Sequence, residues 1–147
     1  MIFYRLYPLN EVLDVLKGYQ EKHYNDIKDK SMYPSICMNW DMYRELGEEG
    51  LAFAVLAFDE DDVVGYSAYT LTADFNKNDE IIAINVAMFI EKKYRGRLVV
   101  DFIGECDKML KEKEVMQVLQ SYSDMRIGKI LEKAGYRPKS ITWCKTL

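Results

Sequence analysis

Cysteine, histidine and proline are scarce in this chain, and none of them is arranged for chemistry. The three cysteines, Cys37, Cys106 and Cys144, are odd in number and far apart, with no CxxC pair and no Cys/His cluster. That excludes a zinc-ligand pattern and a disulfide framework. They read as free thiols of a reducing cytosol, with Cys106 and Cys144 as buried filler on a helix face and a strand. Basic excess is missing too: 20 Lys+Arg stand against 24 Asp+Glu, a net charge of -4. A protein that coats nucleic acid is usually basic, so direct nucleic-acid binding is not expected. The mild acidity would suit a cationic or amine substrate. No apolar run approaches the ~18 residues that span a bilayer. The opening Met1-Ile2-Phe3-Tyr4-Arg5 has no basic segment leading into an apolar one, so a secretory leader and a membrane role are not expected. The expectation is a cytoplasmic protein. Asp59-Glu60-Asp61-Asp62 lacks the spacing and glycine of a calcium loop and reads as a solvated turn, so no metal is expected. Lys111-Glu112-Lys113-Glu114 reads as a solvated helix end. Repeats, low-complexity segments and linkers are absent, which makes residues 1–147 one domain.

What the chain does hold is apolar surface in regular patterns, at 49% of residues. That is enough for a core without cross-links. Residues 2–7 read as a first strand, stopped by Pro8-Leu9-Asn10, with Asn10 placed as a helix N-cap. Val12, Leu13, Leu16, Tyr19, His23, Tyr24 and Ile27 recur at helical spacing and predict a helix ending near Asp29. A polar stretch over 28–36 follows, then a short helix from Asn39 closed by Gly47. Residues 51–58 and 63–71 form a hairpin around the acidic turn, with Gly65 inside its second strand. A polar loop over 72–79 leads to a strand over 81–90. Val99, Phe102, Ile103, Cys106, Met109 and Leu110 make a helical stripe, and 115–119 a short buried strand. Asp124 is placed to cap a helix with Ile127, Ile130, Leu131 and Ala134 on one face and Gly135 at its C′ position. Residues 141–147 read as a last strand. The order is β-α-α-β-β-β-α-β-α-β: hairpins first and crossovers later, an α/β (α+β) chain with a mixed sheet covered by helices.

One stretch suggests chemistry rather than folding. The strand over 81–90 runs into Tyr94-Arg95-Gly96-Arg97-Leu98-Val99-Val100, a tight basic turn that opens a helix. Such a turn gathers free N–H groups and the positive helix end at one point, a site for phosphate. Arg95 and Arg97 add charge-assisted donors there. The plain alternative is a solvated basic turn beside Glu91. His23, the only histidine, lies on an apolar stripe and reads as structural, with a catalytic base as the sharper alternative. The spacing of Tyr19, Tyr24, Trp40 and Tyr43 fits core packing and an acceptor pocket alike.

Element order and the Arg95-Gly96 turn together resemble the GNAT superfamily of acyl-CoA-dependent N-acetyltransferases. The family's pyrophosphate loop, Arg/Gln-x-x-Gly-x-Gly/Ala, matches Arg95-Gly96-Arg97-Leu98-Val99-Val100. The lead-in Met88-Phe89-Ile90-Glu91-Lys92-Lys93-Tyr94 is similar to the family's strand end. Gly128-Lys129-Ile130-Leu131-Glu132-Lys133-Ala134-Gly135-Tyr136 is similar to its closing helix. Asn39-Trp40-Asp41-Met42-Tyr43 and the tail Trp143-Cys144-Lys145-Thr146-Leu147 resemble a subgroup common in phages and their hosts. There are departures: Leu98 and Val100 stand where the family has small residues, which narrows the approach to the backbone. The usual catalytic tyrosine falls on Leu131, which cannot donate a proton. The subgroup's His and Asp positions look like Asp74, Asn76 and Val86, and Asn85 lies near where some members keep a glutamate.

The resemblance implies a mostly antiparallel mixed sheet with a V-shaped splay between the fourth and fifth strands and about four flanking helices. It implies acetyl-CoA as co-substrate and a primary amine of a small molecule or protein as acceptor. Backbone groups of Met88, Phe89 and Ile90 would pair with the pantetheine. Arg95, Gly96, Arg97, Leu98, Val99 and Val100 would hold the pyrophosphate. A strand N–H would polarise the thioester carbonyl. Tyr122, just after the fifth strand, is the phenol nominated to return a proton to the leaving thiolate. Two alternatives remain: a non-catalytic acyl-CoA- or protein-binding module, and a phage protein acting on a host factor in the host cytoplasm. The last strand could also pair across a homodimer.

Overall fold

The computed structural model describes residues 1–26, 38–74, 76–77, 79–122 and 125–147, and of Arg97 the backbone alone. The expectations on Ile27, the 28–36 stretch, Cys37, Asp124 and the Arg97 side chain lie outside this description. Five strands form one sheet in chain order: β1 (Ile2–Pro8), β2 (Ala52–Asp59), β3 (Asp62–Ala73), β4 (Ile81–Ile90) and β5 (Val115–Leu119). The first four pair antiparallel, and β5 joins β4 in parallel.

β2 explains how the sheet is sandwiched. It is apolar at successive positions, and side chains of a strand alternate between faces. Ala52, Ala54 and Leu56 therefore pack on one side, beneath α1 (Leu13–Asp26) and α2 (Trp40–Glu48). Val55 and Ala57 pack on the other, beneath Phe102, Cys106 and Leu110 of α3 (Arg97–Glu112). α4 (Met125–Lys133) lies beside α3, where the Tyr136 hydroxyl after it donates to Asp107 Oδ1 at 2.6 Å. The α3 stripe is as expected, with Phe102, Ile103, Cys106 and Leu110 buried. Tyr19, Trp40 and Tyr43 pack against the α1/α2 cluster, which favours the core reading of those aromatics.

Several local expectations are corrected. Asn10 caps nothing. A 3-10 turn, Leu9–Glu11, intervenes before α1, and the Asn10 backbone lies so close to Gly47 that a Cβ there would collide with it. Gly47 is therefore needed inside α2 for close approach and does not end it. The stop is Gly50, at φ 74°, with Leu51 N–H bonded to the Leu46 carbonyl at 2.8 Å. That 6→1 bond satisfies a carbonyl the helix end leaves open. Gly135, at φ 93°, ends α4 the same way, as expected from the sequence. Ile127 on α4 is exposed rather than part of a buried stripe. Residues 141–147 form no strand. Ile141 and Trp143 are 81% and 90% exposed, and Cys144 is exposed too, not buried filler. A strand needs a partner edge, and among the described residues this segment pairs with none.

Candidate cofactor and active site

β4 and β5 run together only briefly. Their register goes from Ile81↔Val115 to Ile84↔Leu119, where β5 ends. β4 continues six residues further, paired on its other side with β3 as far as Ile90↔Gly65. The fourth and fifth strands therefore splay, and the β4 edge from Asn85 to Ile90 has no β5 partner. Gly65 lets β3 stay close there, since a Cβ at that position would stand 2.9 Å from the Phe89 carbonyl oxygen. The Phe89 side chain turns under α1 and Met88 toward α3, which leaves the backbone to line the opening.

The basic turn closes the end of this opening. After Ile90 the chain makes a 3-10 turn, Lys92–Tyr94, and enters α3 through Gly96 at φ 96° and ψ -115°. An L side chain resists that conformation, so Gly96 is required for its backbone freedom. No side chain caps α3, and its first turn holds no acidic residue. Val99 N–H bonds to the Gly96 carbonyl at 3.2 Å, and the N–H groups of Arg97 and Leu98 start the helix. The positive end of a sixteen-residue helix thus meets the mouth of the splay. Leu98 and Val99 send their side chains into the cluster under α3. Their bulk therefore leaves the helix end to its backbone.

Arg95 is not idle in this turn. Its Nε donates to the Ile90 carbonyl at 2.8 Å, its Nη2 pairs with Asp26 at the end of α1, and its guanidinium lies over the Phe89 ring. Lys22 of α1 reaches Glu91 at 2.8 Å. Two ion pairs thus fasten α1 to the turn. Beside them, His23 Nδ1 lies 2.7 Å from the Tyr66 hydroxyl, and Tyr19 donates to the Val63 carbonyl. Burial holds the His23 imidazole below its ordinary pKa, with Asp26 opposing and Arg95 adding to the effect. The Tyr66 phenol is pushed up by burial and stays protonated. His23 is thus a neutral packing partner at neutral pH.

Tyr122 is 43% exposed and stands over Gly128 of α4, where its hydroxyl occupies the space of the missing Cβ. Leu131 is buried. Asp74 accepts from Asn76 N–H at 2.9 Å in a local turn. Sequence reasoning missed the polar cluster at the start of the splay. Asn85 bonds to Ser67, and Ser67 to Tyr69. An asparagine inside an otherwise apolar strand was the available signal, since strands are depleted in it.

A groove of about 600 Å³ runs beside the first turns of α3, lined by Leu98, Val100, Asp101, Glu105 and Lys108 with Ile2 and Tyr4. A smaller apolar hollow of about 380 Å³, around Phe53, Leu71 and Lys113, lies at the other end of α3. Among the described residues no group of His, Cys, Asp and Glu could hold a metal ion, and no helix is long and apolar enough to cross a membrane.

This arrangement, a curled mixed sheet opening between its fourth and fifth strands onto a helix N-terminus, is the GNAT acetyltransferase fold. An aminoglycoside acetyltransferase from an uncultured soil metagenomic sample superposes with a TM-score of 0.74 at 15% identity, over 100% of this chain and 99% of that one. Glucosamine-6-phosphate N-acetyltransferase from Arabidopsis thaliana gives 0.72 at 17% identity, over 99% and 98%. AAC(6')-Iy, in complex with the bisubstrate analogue CoA-S-monomethyl-acetylneamine, gives 0.72 at 12%, over 100% and 99%. No family model and no curated protein matches the sequence.

Proposed function

We propose that this protein is an acyl-CoA-dependent N-acetyltransferase that moves the acetyl group of acetyl-CoA to a primary amine of a small molecule or protein. The observation that carries the reading is the open β4 edge leading straight to the uncapped N-terminus of α3. An extended pantetheine can add to a free strand edge through its amides, here at Met88, Phe89 and Ile90. N–H groups at the start of α3, from Gly96 to Val100, suit a pyrophosphate, with Arg95 and Arg97 as charged donors. The groove beside Leu98 and Val100 gives the rest of the nucleotide a place to lie. Structural neighbours that are acetyltransferases, one carrying a CoA analogue, support the same reading.

In the reaction a neutral amine nitrogen attacks the thioester carbonyl carbon. A strand N–H at the splay stabilises the developing oxyanion. The new C–N bond forms, the C–S bond breaks, and CoA leaves as a thiolate. The amine gives up one proton, and the thiolate takes one from the Tyr122 hydroxyl or from water. Tyr122→Phe should slow CoA release with a good acceptor; an unchanged rate assigns that proton to solvent.

The test is calorimetric titration with acetyl-CoA and CoA, followed by an amine and peptide screen for thiol release. Micromolar binding with turnover supports the enzyme. Binding without turnover supports the alternative that Leu98, Val100 and the buried Leu131 favour, a non-catalytic module that binds an acyl-CoA or a protein partner. No binding up to millimolar ligand rejects both acyl-CoA readings.

We further propose that a second copy of the chain pairs with this one through residues 141–147. β5 is the last strand of the sheet, so among the described residues its outer edge lacks a strand partner. Ile141, Trp143 and Leu147 alternate as on one strand face and are all exposed. Strand addition across a dimer would cover both.

A further inference from the structure

The pairing of β4 fails on both sides at one place. Toward β5 it ends with Ile84. Toward β3 the register jumps from Tyr69↔Asn85 to Ala68↔Ala87, so Val86 has no partner and forms a β-bulge. Bulges re-aim backbone groups and gather next to active sites. Packing keeps the bulge in place, because closing it would turn one half of β4 over and expose its core residues.

The Nδ2 of Asn85 lies 3.1 Å from the Ala68 carbonyl oxygen and 3.2 Å from that of Ala87, the pair directly above the bulge. It also lies 2.9 Å from Ser67 Oγ. An amide nitrogen carries two hydrogens, so these three acceptors share two donors. Ser67 is fully buried, and its hydroxyl donates to Tyr69 Oη at 2.9 Å, which leaves its lone pairs facing Asn85. Tyr69 in turn bonds to Cys106, and burial pushes both the phenol and the thiol up, so neither ionises near neutral pH. The chain Asn85–Ser67–Tyr69–Cys106 is a neutral scaffold rather than a proton path. Its free end is the amide at the bulge, at the point where the splay begins.

We propose that Asn85 is a positioning residue: its amide holds the paired Ala68 and Ala87 carbonyls next to the Val86 bulge and so aims a bulge N–H at the thioester carbonyl of a bound acetyl group. The inference rests on the acetyl-transfer reading above. Asn85 itself touches no reacting atom. Its effect should be confined to ligands that carry the acyl group, because the pantetheine and pyrophosphate contacts lie further along, from Met88 to Val100.

Acetyl-CoA and CoA are the pair of probes that isolates this effect. Wild type, Asn85→Ala, Asn85→Asp and Ser67→Ala are titrated calorimetrically with each. Asn85→Ala and Asn85→Asp, which lose the donors, should bind acetyl-CoA about fivefold to twentyfold more weakly, the worth of one well-made hydrogen bond, with CoA affinity within about twofold of wild type. Ser67→Ala keeps both carbonyl bonds and should change neither. Equal weakening for both ligands, or none, overturns the role of Asn85. Should the Asn85 variants fail to fold, amide exchange in wild type decides: residues 85–87 should be protected more by acetyl-CoA than by CoA, and equal protection overturns the proposal. Wild type binding neither ligand would instead remove the acetyl-transfer reading on which it rests.

Discussion

Arg95→Ala removes the fastening between the proposed cofactor turn, the end of β4 and α1. The bond from Nε to the Ile90 carbonyl, at 2.8 Å, is charge-assisted and contributes about 1.5 kcal/mol. The ion pair joins side chains that are 39% and 27% exposed, so solvent screens it to about 0.5 kcal/mol. The guanidinium over the Phe89 ring, 5.6 Å from its centroid, adds about 0.5 kcal/mol. These contributions share one side chain, so the loss should be about 2 kcal/mol rather than a strict sum. For a domain of this size that lowers Tm by roughly 4–8 °C. Asp26→Ala removes only the ion pair and costs about 0.5 kcal/mol, and in the double variant its effect vanishes because its partner is gone. Urea unfolding of the four proteins measures the cycle. Arg95→Ala within about 0.5 kcal/mol of wild type, the range of an ordinary surface change, would refute the fastening. The same proteins test the phosphate role. Arg95→Ala with Arg97→Ala should weaken acetyl-CoA binding by one to two decades, or about 1–3 kcal/mol. Asp26→Ala should tighten it, because phosphate no longer competes with a carboxylate for Arg95. Unchanged affinity in the double arginine variant would mean that this turn does not hold phosphate.

Gly96→Ala meets open space yet must adopt φ 96° and ψ -115°, so it should lose about 1–3 kcal/mol of stability, read by thermal melting. It should weaken acetyl-CoA binding as well, since relaxing the strain redirects the first N–H groups of α3. His23 gives a pH dependence of definite sign. Its folded pKa lies below 6.5, so the unfolded chain takes up the proton first. That stability is complete above 6.5 and is lost as pH falls from 6.5 through the folded value. Asp26, Arg95 and the Tyr66 hydroxyl are the groups that bear on it. Tm should therefore drop more between pH 7.5 and pH 5.5, roughly one unit either side of the free imidazole pKa, in wild type than in His23→Gln; equal drops would remove His23 as the cause. Deleting residues 141–147 should convert a dimer into a monomer by sedimentation, while a monomeric full chain would dismiss the strand exchange.

The elements legible in the sequence are those whose signal is local. β4 begins and ends at Ile81 and Ile90 because a run of nine apolar residues, interrupted once by Asn85, is bounded by polar turns. The α3 stripe follows from 3.6-residue periodicity, and Gly135 ends α4 because the residue after the last helical turn adopts a left-handed conformation. The element order and the Arg95-Gly96 turn together were enough to indicate the fold. Asn10 and Gly47 misled because their meeting brings a distant 3-10 turn against the interior of α2, while alone one looks like a helix start and the other like a helix stop. The tail misled because an alternating pattern makes no strand without a partner edge, and among the described residues it pairs with none.

What the sequence alone determined, then, is the five strands of the sheet and the helices that cover it, the two apolar faces of the sheet, and a basic turn at a helix start. Only the tertiary structure decided where β4 leaves β5, that Arg95 is held by a carboxylate 69 positions away, and that the Asn85 amide meets Ala68 and Ser67, 17 and 18 positions back, beside a bulge. Periodicity fixes which face a residue occupies, because neighbouring residues share one backbone geometry. It carries no information on which hydrogen-bond partner arrives from another strand or helix, and the proposed chemistry depends on those partners.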